Sequence, residues 1–332
     1  MRAAPTGHNG GMDLVSADDI RAAASRIRGQ VVRTPLTAGP PQGPPFLVKP
    51  ENLQPTGAFK LRGAANAVAL LDPAQRARGV ITHSSGNHGQ ALAYAAAGAG
   101  APCTVVVPDN APGVKVERMR DRGAEVVLVP PERRAETAQE MALAERLALV
   151  PPFDDRAVIA GQGTVGLEIL EQAPEATTIV VPVGGGGLAS GVATAARAAH
   201  PRRIRVIGVE PVLAADAAES LERGRRVAWE PERTHRTMAD GVRVCLSDLT
   251  FEHLRDRLDG IVTVTEDEIA HAVARLALGA RLVAEPSGAL AAAAVLAGLV
   301  PVEAGRPEST VAVLSGGNTD PDLFSRIIAG HR

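Results

Sequence analysis

Residues 177–196 read TTIVVPVGGGGLASGVATAA: an apolar run, four glycines and a segment of small residues. Residues 179–183 are apolar throughout, which predicts that the run 178–183 is a strand buried on both faces of a sheet. From Leu188 onward the pattern predicts a helix. A turn between a buried strand and a helix can bind a phosphate through its backbone N–H groups. The candidates for this role are Gly184, Gly185, Gly186 and Gly187.

Seven further β-rich runs alternate with Ala-rich stretches of helical length. They are FLVK (46–49), GVITH (79–83), CTVVVP (103–108), EVVLVP (125–130), RVIGVE (205–210), IVTVTE (261–266) and TVAVLS (310–315). This alternation predicts an α/β protein built on parallel sheets that helices cover on both faces. The long segment between residues 130 and 177 indicates a change of domain.

The composition argues against several classes of function. The formal charge is −2 and the aromatic residues are 5 Phe, 1 Trp and 1 Tyr, so we expect no nucleic-acid partner. Residues 1–12 contain no apolar stretch, so we expect neither a signal peptide nor a membrane anchor. The two cysteines, Cys103 and Cys245, resemble neither a zinc set nor a disulfide framework, which indicates the cytoplasm.

Lysine is rare in this chain. Of 35 basic residues, Lys49, Lys60 and Lys115 are lysine and the other 32 are arginine. Arginine keeps its proton near neutrality, whereas a buried lysine can become a neutral nucleophile. Lys60 lies in PTGAFKLRG (55–63), between a glycine turn and a predicted helix, with apolar neighbours. It is a candidate nucleophile, and a solvated lysine is the alternative.

Two other strand ends carry side chains suited to a small ligand. One loop offers hydroxyls, an amide and N–H groups at a helix start, which suit a carboxylate, although an ordinary helix cap is the alternative. It consists of Ser84, Ser85, Gly86, Asn87 and His88. At the end of a late strand, Ser315 in VLSGGNTD has the chemistry to bind a ring nitrogen or to cap the next helix.

Two cofactors compete for these features. Gly184, Gly186 and Ala189 satisfy the dinucleotide pattern G-x-G-x-x-A, and Glu210 ends the next strand where a ribose-binding acid belongs. NAD would leave Lys60 and the serine loop without a role. Pyridoxal phosphate with an amino acid uses the anion site, the carboxylate loop, the ring-nitrogen partner and the nucleophilic lysine together, so we favour it.

Six motifs resemble, in order and spacing, those of the fold-type II pyridoxal-phosphate enzymes. They are KPENLQPTGAFKLRGA, SSGNHGQALAYAA, AGQGTVGLEIL, PVGGGGLASG, EPSGA and LSGGNTD. The chain is most similar to the threonine/serine dehydratase and serine racemase branch, from about Asp13 to the end. The resemblance implies a homodimer with a two-domain fold like that of tryptophan synthase β, each domain a mainly parallel sheet covered by helices. The expected division is a disordered tail over 1–12, a large cofactor-binding domain over 13–80 and 157–332, and a small substrate-binding domain over 81–156.

The same resemblance implies which residues bind the cofactor. Lys60 would attach to its aldehyde as a Schiff base, with Phe59 and Gly241 flanking the ring. Asn87 would bind the ring 3′ oxygen and Ser315 the ring nitrogen. The four glycines would bind the phosphate.

For the amino-acid substrate, the resemblance implies that residues 84–88 bind the carboxylate. A basic residue of the small domain would face the active site, and Arg134 is the nearest match, with Arg133 left open. Ser85 has the racemase form, in which a serine handles the proton on the face opposite Lys60.

A metal site is also implied. The carboxylates of Glu210 and Asp216 and the carbonyl of Ala214 match the Mg²⁺ or Ca²⁺ site of racemase-like members. Two solvated acids in a loop are the alternative.

The expected reaction is β-elimination of a β-hydroxy amino acid to a 2-oxo acid and ammonia. A neutral serine at the ring nitrogen makes the electron sink weak, which favours expulsion of the β-hydroxyl. The alternatives are a serine racemase, a hydroxyaspartate dehydratase, a synthase, an NAD-linked dehydrogenase and a protein that binds pyridoxal phosphate without catalysis. Only 12 residues follow LSGGNTD, so we expect no amino-acid-sensing module.

Overall fold

The structure is a computed structural model that describes residues 12–111, 113–199, 204–303 and 305–331. Apart from Met12, the tail predicted over residues 1–12 lies outside the described residues. The described chain forms two separate sheets, each covered by helices.

A six-stranded sheet forms the larger part of the molecule. Its strands are β1 (Thr37–Ala38), β2 (Leu47–Pro50), β7 (Thr178–Pro182), β8 (Arg205–Pro211), β9 (Gly260–Val264) and β10 (Thr310–Leu314). Their order is β1-β2-β10-β7-β8-β9, and β1 pairs antiparallel with β2 while the other neighbours are parallel. Every residue of β7 and β10 is buried, as a sheet covered on both faces requires.

A four-stranded parallel sheet forms the smaller part. Its strands are β3 (Val80–Thr82), β4 (Cys103–Pro108), β5 (Glu125–Val129) and β6 (Ala148–Leu149), in the order β5-β4-β3-β6. The chain enters this sheet through β3 and leaves it through the neighbouring strand β6. The small sheet is therefore an insertion between elements of the large one.

Helices cover both sheets. In the first half of the chain they are α1 (Ala17–Arg26), α2 (Lys60–Ala69), α3 (Pro73–Arg78), α4 (Asn87–Gly98), α5 (Gly113–Arg120), α6 (Arg134–Glu145) and α7 (Arg156–Gln172). The second half adds α8 (Gly187–Arg197), α9 (Asp216–Arg223), α10 (Pro231–Thr234), α11 (Asp248–Arg257), α12 (Glu266–Arg275), α13 (Pro286–Leu296) and α14 (Pro321–Gly330). Short 3₁₀ turns and a π-helical turn at Leu276–Ala280 complete the set. No helix in the described part of the chain has the length and apolarity needed to cross a membrane.

The predicted fold class is confirmed. All eight apolar runs contain strands of the two sheets. The strands β1 and β6 were not predicted, because two residues are too few to show a period. The domain boundaries at 81 and 156 stay a prediction, while the small sheet itself spans residues 80–149.

Helix α2 packs against α7 on one side and α4 on the other. Its contact with α7 is made by glycines: a Cβ on Gly161 would lie 2.4 Å from the carbonyl oxygen of Arg62, and one on Gly63 would lie 2.9 Å from that of Val158. Its contact with α4 is made by apolar side chains such as Leu61 and Leu92 in one buried cluster. The contact between α2 and α7 therefore has no room for a side chain at Gly63 or Gly161.

A buried ion network joins β2, α2 and α7. The fully buried Arg62 donates to Glu51 (Nε to Oε2, 2.7 Å) and to Glu168 (Nη1 to Oε1, 2.7 Å). Lys49, also fully buried, donates to Glu168 at 2.6 Å, to the carbonyl of Thr34 at 2.6 Å and to a Gln172 oxygen at 2.9 Å. Each of the three N–H groups of the Lys49 ammonium thus has an acceptor. Burial lowers the pKa of Lys49, but the charge of Glu168 opposes that shift.

Candidate active site

A cleft of about 330 Å³ lies where β3, β7 and β10 end, the edge at which parallel sheets bind ligands. Its volume falls in the range of small-molecule sites. Both sheets contribute to its lining. The predicted residues that line it are Phe59, Lys60, Ser84, Ser85, Gly86, Asn87, His88, Arg134, Gly184, Gly185, Gly186, Gly187, Gly241 and Ser315.

Lys60 begins α2 inside this cleft. Its Nζ donates to the carbonyl oxygen of Pro152 at 2.6 Å and lies 5.0 Å from the ring centre of Phe59. The ring is fixed in turn, because the Phe59 N–H donates to the carbonyl of Ser315 at 3.0 Å. No carboxylate among the described residues forms an ion pair with this ammonium. Burial lowers the pKa of Lys60 to about 7, so a large fraction is neutral and nucleophilic at neutral pH.

The glycine loop needs glycine for steric reasons. A Cβ on Gly185 would lie 2.3 Å from the ring of Phe153, and one on Gly187 would lie 2.6 Å from Oε1 of Gln162. Gly186 is the N-cap of α8 and has φ +85°, a conformation that favours glycine. The helix N-terminus also favours negative charge. The loop therefore fits a phosphate.

The serine loop does not serve as a helix cap. The N-cap of α4 is Gly86, and no side chain caps this helix. The hydroxyls of Ser84 and Ser85 line the cleft instead. His88 is buried with Nε2 2.9 Å from the carbonyl oxygen of Val150, and burial lowers its pKa to about 3. His88 is therefore a neutral residue that ties the loop to the end of β6.

The far side of the cleft carries small residues. The N–H of Gly241 donates to Oγ of Ser287 at 2.8 Å. Ser315 is buried, and its Oγ makes one long contact of 3.5 Å to the carbonyl of Ser287. The Ser315 hydroxyl therefore keeps most of its hydrogen-bonding capacity for a ligand.

The two arginines that the sequence left open are separated by the structure. Arg133 pairs with Glu136 at 3.0 Å on the exposed surface. Arg134 lines the cleft, and its Nε is buried without a hydrogen-bond partner in the described part of the chain. Burial and the Arg134 charge together lower the pKa of His83 beside it. Of these two arginines, Arg134 is therefore the one that lines the cleft.

The comparison with protein families decides the class. The family model described as pyridoxal-phosphate dependent enzyme matches residues 27–316. The chain belongs to this family. This match confirms the family and the cofactor predicted above, so the chain is a pyridoxal-phosphate dependent enzyme.

The relatives of this pyridoxal-phosphate dependent enzyme include L-threonine ammonia-lyases and serine racemases. It is 44% identical over 316 residues to an L-threonine ammonia-lyase of Geobacter sulfurreducens, covering 93% of this chain and 77% of that one. It is 38% identical over 323 residues to a serine racemase of Dictyostelium discoideum, covering 96% and 99%. The structure of maize serine racemase superimposes with a TM-score of 0.87 at 37% identity, covering 96% and 98%. Both groups are similar to this enzyme along nearly the whole chain.

The dinucleotide alternative has no support in the enzyme. Glu210 is fully buried. Its carboxylate accepts the N–H groups of Ala217 at 3.0 Å and Ala218 at 2.8 Å. It therefore holds the start of α9 and does not face a ribose.

The three residues predicted to bind a metal lie outside the residues that line the cleft. Glu210 and Asp216 are both buried. Burial and the charge of Asp216 raise the pKa of Glu210 well above its usual value, and burial raises that of Asp216 to about 6. Oδ1 of Asp216 has no hydrogen-bond partner among the described residues. Glu210 and Asp216 are therefore not two solvated acids in a loop, which was the alternative to a metal site.

The enzyme's cleft also contains residues that the sequence analysis did not single out. They are His83, Gln90, Lys115, Arg118, Pro152, Phe153, Pro182, Leu188, Asp240, Val242, Val244, Glu285, Ser287 and Asn318. Glu285 and Asn318 stand in the quoted motifs EPSGA and LSGGNTD, which gave a signal of position but not of role.

Proposed function

We propose that this enzyme eliminates the β-hydroxyl group of a β-hydroxy amino acid and releases a 2-oxo acid and ammonia. The observation that carries the proposal is Lys60, whose buried amine has a pKa of about 7 and shares a cleft with an anion-binding glycine loop. The similarity to L-threonine ammonia-lyases supports the reaction class.

The residues of the cleft fit pyridoxal phosphate. The glycines 184–187 would hold its phosphate, Asn87 its 3′ oxygen and Ser315 its ring nitrogen. Phe59 and Gly241 would flank the ring. When bound, the cofactor supplies an electron sink for the bonds at the substrate Cα.

Lys60 performs the proton chemistry at Cα. Its neutral amine would hold the cofactor through the aldehyde group. With substrate bound, the Lys60 amine would accept the Cα proton as a general base. Residues 84–88 hold the substrate carboxylate, and the Arg134 side chain adds positive charge to the same cleft. A hydroxyl at Ser315, in place of a carboxylate, keeps the ring nitrogen neutral and favours loss of the β-hydroxyl.

A panel of β-hydroxy amino acids tests this reaction. We expect 2-oxo acid and ammonia in equal amounts from serine, threonine or threo-3-hydroxyaspartate. The absence of both products from every member, with cofactor bound, would contradict the proposal.

Racemisation of serine is the second candidate, and the placement of Ser85 favours it. Its hydroxyl lines the cleft and does not cap a helix, so it is available as the second acid–base group, opposite Lys60. We expect Ser85→Ala to lower the rate of D-serine formation much more than the rate of elimination from L-serine. Wild-type enzyme that forms no D-serine would contradict this candidate.

We propose that Glu210, Asp216 and the carbonyl of Ala214 bind Mg²⁺ or Ca²⁺. Two buried acids with raised pKa values and a free Asp216 oxygen support a cation between them. No three His, Cys, Asp or Glu side chains group as a metal site in the described residues, so such a site needs backbone and water oxygens as well. At about 100 times its Kd the ion would add about 2.7 kcal/mol to stability. An unchanged melting temperature after chelation would contradict this.

We propose that the enzyme is a cytoplasmic homodimer with a small substrate-binding domain over residues 81–156 and a large cofactor-binding domain over 13–80 and 157–332. The free thiols Cys103 and Cys245 support a reducing compartment. Light scattering should give about twice 34.3 kDa, and the mass of one chain would contradict the dimer.

A further inference from the structure

One chain of hydrogen bonds at the cleft has a direction that a backbone carbonyl determines. Nδ2 of Asn318 donates to the carbonyl oxygen of Thr56 at 2.8 Å and to Oδ1 of Asn87 at 2.8 Å. A carbonyl oxygen can only accept, so the Asn318 amide must present its nitrogen to Thr56. Both hydrogens of that nitrogen are then used.

The orientation of the Asn87 amide follows from this. Its Oδ1 must face Asn318, so its Nδ2 faces Glu285, to whose Oε1 it donates at 2.6 Å. One hydrogen of Nδ2 is engaged there, and the second remains for a ligand because Asn87 lines the cleft. Asn87 therefore offers the ligand a donor.

Glycines leave room for both partners of Asn87. A Cβ on Gly57 would lie 2.5 Å from Oδ1 of Asn318, and one on Gly316 would lie 2.3 Å from Oε1 of Glu285. Gly57 also has φ +74°. The Asn318 amide and the Glu285 carboxyl group therefore lie directly against the backbone at these two glycines.

We propose that Asn318 and Glu285 are positioning residues that fix the Asn87 amide with an N–H toward the cofactor, so that the 3′ oxygen it meets is held as an anion. The proposal rests on the proposed function, which places that oxygen at Asn87. A reversed amide would present its carbonyl oxygen and would favour a protonated 3′ oxygen instead.

The charged groups around Glu285 do not disturb this arrangement. Burial and the charge of Asp240 raise the pKa of Glu285 to about 7, while Lys115 and the Asn87 hydrogen bond act in the opposite direction. Both a carboxylate and the carbonyl oxygen of a carboxylic acid accept an N–H. The orientation of Asn87 is therefore kept on both sides of neutrality.

The test is a pH titration of the visible absorbance of the holoenzyme. In Asn318→Asp the new carboxylate can only accept, so we expect the Asn87 amide to turn its nitrogen toward residue 318. The pH at the midpoint of the absorbance change should then rise by about one unit or more, because the 3′ oxygen anion loses its N–H donor. Asn52→Asp is the matched control, since Asn52 lies against Gly317 and donates to the carbonyl of Val283; its midpoint should stay near the wild-type value.

A second variant decides the question if Asn318→Asp does not fold. Asn318→Ala removes the donor without adding charge, and we expect an upward shift of about half a unit. Glu285→Leu removes the acceptor of the Asn87 N–H, so we expect its midpoint to rise as well. Wild-type midpoints in the folded Asn318 variants, within about 0.2 units, would overturn the positioning proposal alone. Failure of wild-type enzyme to bind the cofactor would instead contradict the proposed function.

Discussion

Two lysines within the same part of the chain, Lys49 and Lys60, meet opposite surroundings. Lys49 is fully buried and each of its three donors has an acceptor, one of them the carboxylate of Glu168. Lys60 faces a backbone carbonyl and an aromatic ring. Burial acts on both amines, but a carboxylate stabilises the charge of Lys49 and none does so for Lys60. A buried lysine is therefore reactive only where its charge lacks a partner.

Lys115 is a third case. It is 30% exposed and pairs with Asp240, which is 45% exposed, at 3.0 Å. Water already stabilises both charges, so the pair adds little. The three lysines thus differ in their partners among the described residues: Lys60 has no carboxylate, Lys49 has a buried one, and Lys115 has a solvent-exposed one at the cleft.

Loss of the unpaired amine should have the largest effect. We expect Lys60→Ala to lower turnover by about 10³-fold or more, because it removes both the nucleophile and the general base. Reduction with borohydride should no longer attach the cofactor to the protein, as mass spectrometry would show. The melting temperature is the control for folding. Wild-type turnover in this variant would contradict the assigned mechanism.

Disruption of the paired network should affect folding. We expect Arg62→Met to lower the free energy of unfolding by about 3–5 kcal/mol, because Glu51 then remains buried without its charged partner. Chemical denaturation measures this. Arg21→Met, at a surface pair with Asp18, is the control and should change stability by about 1 kcal/mol or less. Equal effects of the two variants would show that the buried network is unimportant.

The pH dependence of amine reactivity should separate the buried lysines. The neutral fraction of Lys60 should rise about tenfold between pH 6 and pH 8, since its pKa is about 7. The rate at which the cofactor attaches to cofactor-free protein should follow this rise and level off above pH 8. A rate that keeps rising through pH 9 would show that the amine has an ordinary pKa. Peptide mapping with an amine reagent at pH 8 should find Lys60 modified and Lys49 protected.

The solvent-exposed lysine at the cleft, Lys115, should have the smallest effect on stability. We expect Lys115→Ala to change the free energy of unfolding by less than about 1 kcal/mol. A double-mutant cycle with Asp240→Asn measures the pair itself. A coupling energy above about 2 kcal/mol would place this pair with the buried network.

The sequence predicted the strands and the glycine loop because each has a local pattern. Apolar runs and consecutive glycines are visible within a few residues of chain. Lys60 was a candidate because lysine is rare, but the same argument gave equal weight to Lys49. The two differ in their contacts with Glu168 and Pro152, which are 119 and 92 residues away.

Long-range contacts also explain what the sequence analysis left out. Glu285 and Asn318 act on Asn87 across 198 and 231 residues, so no local pattern reveals their role. The same holds for the choice between Arg133 and Arg134, which depends on the face of α6 that each side chain takes. Both questions required the fold.

The glycine contact between α2 and α7 also fixes the position of the lysine amine. The backbones of the two helices touch at Gly63 and Gly161 without space for a side chain, so sliding between them would cause clashes. Because Lys60 is the first residue of α2, the same contact anchors the start of this residue's helix against α7. Two glycines that never enter the cleft therefore help to set where its amine lies.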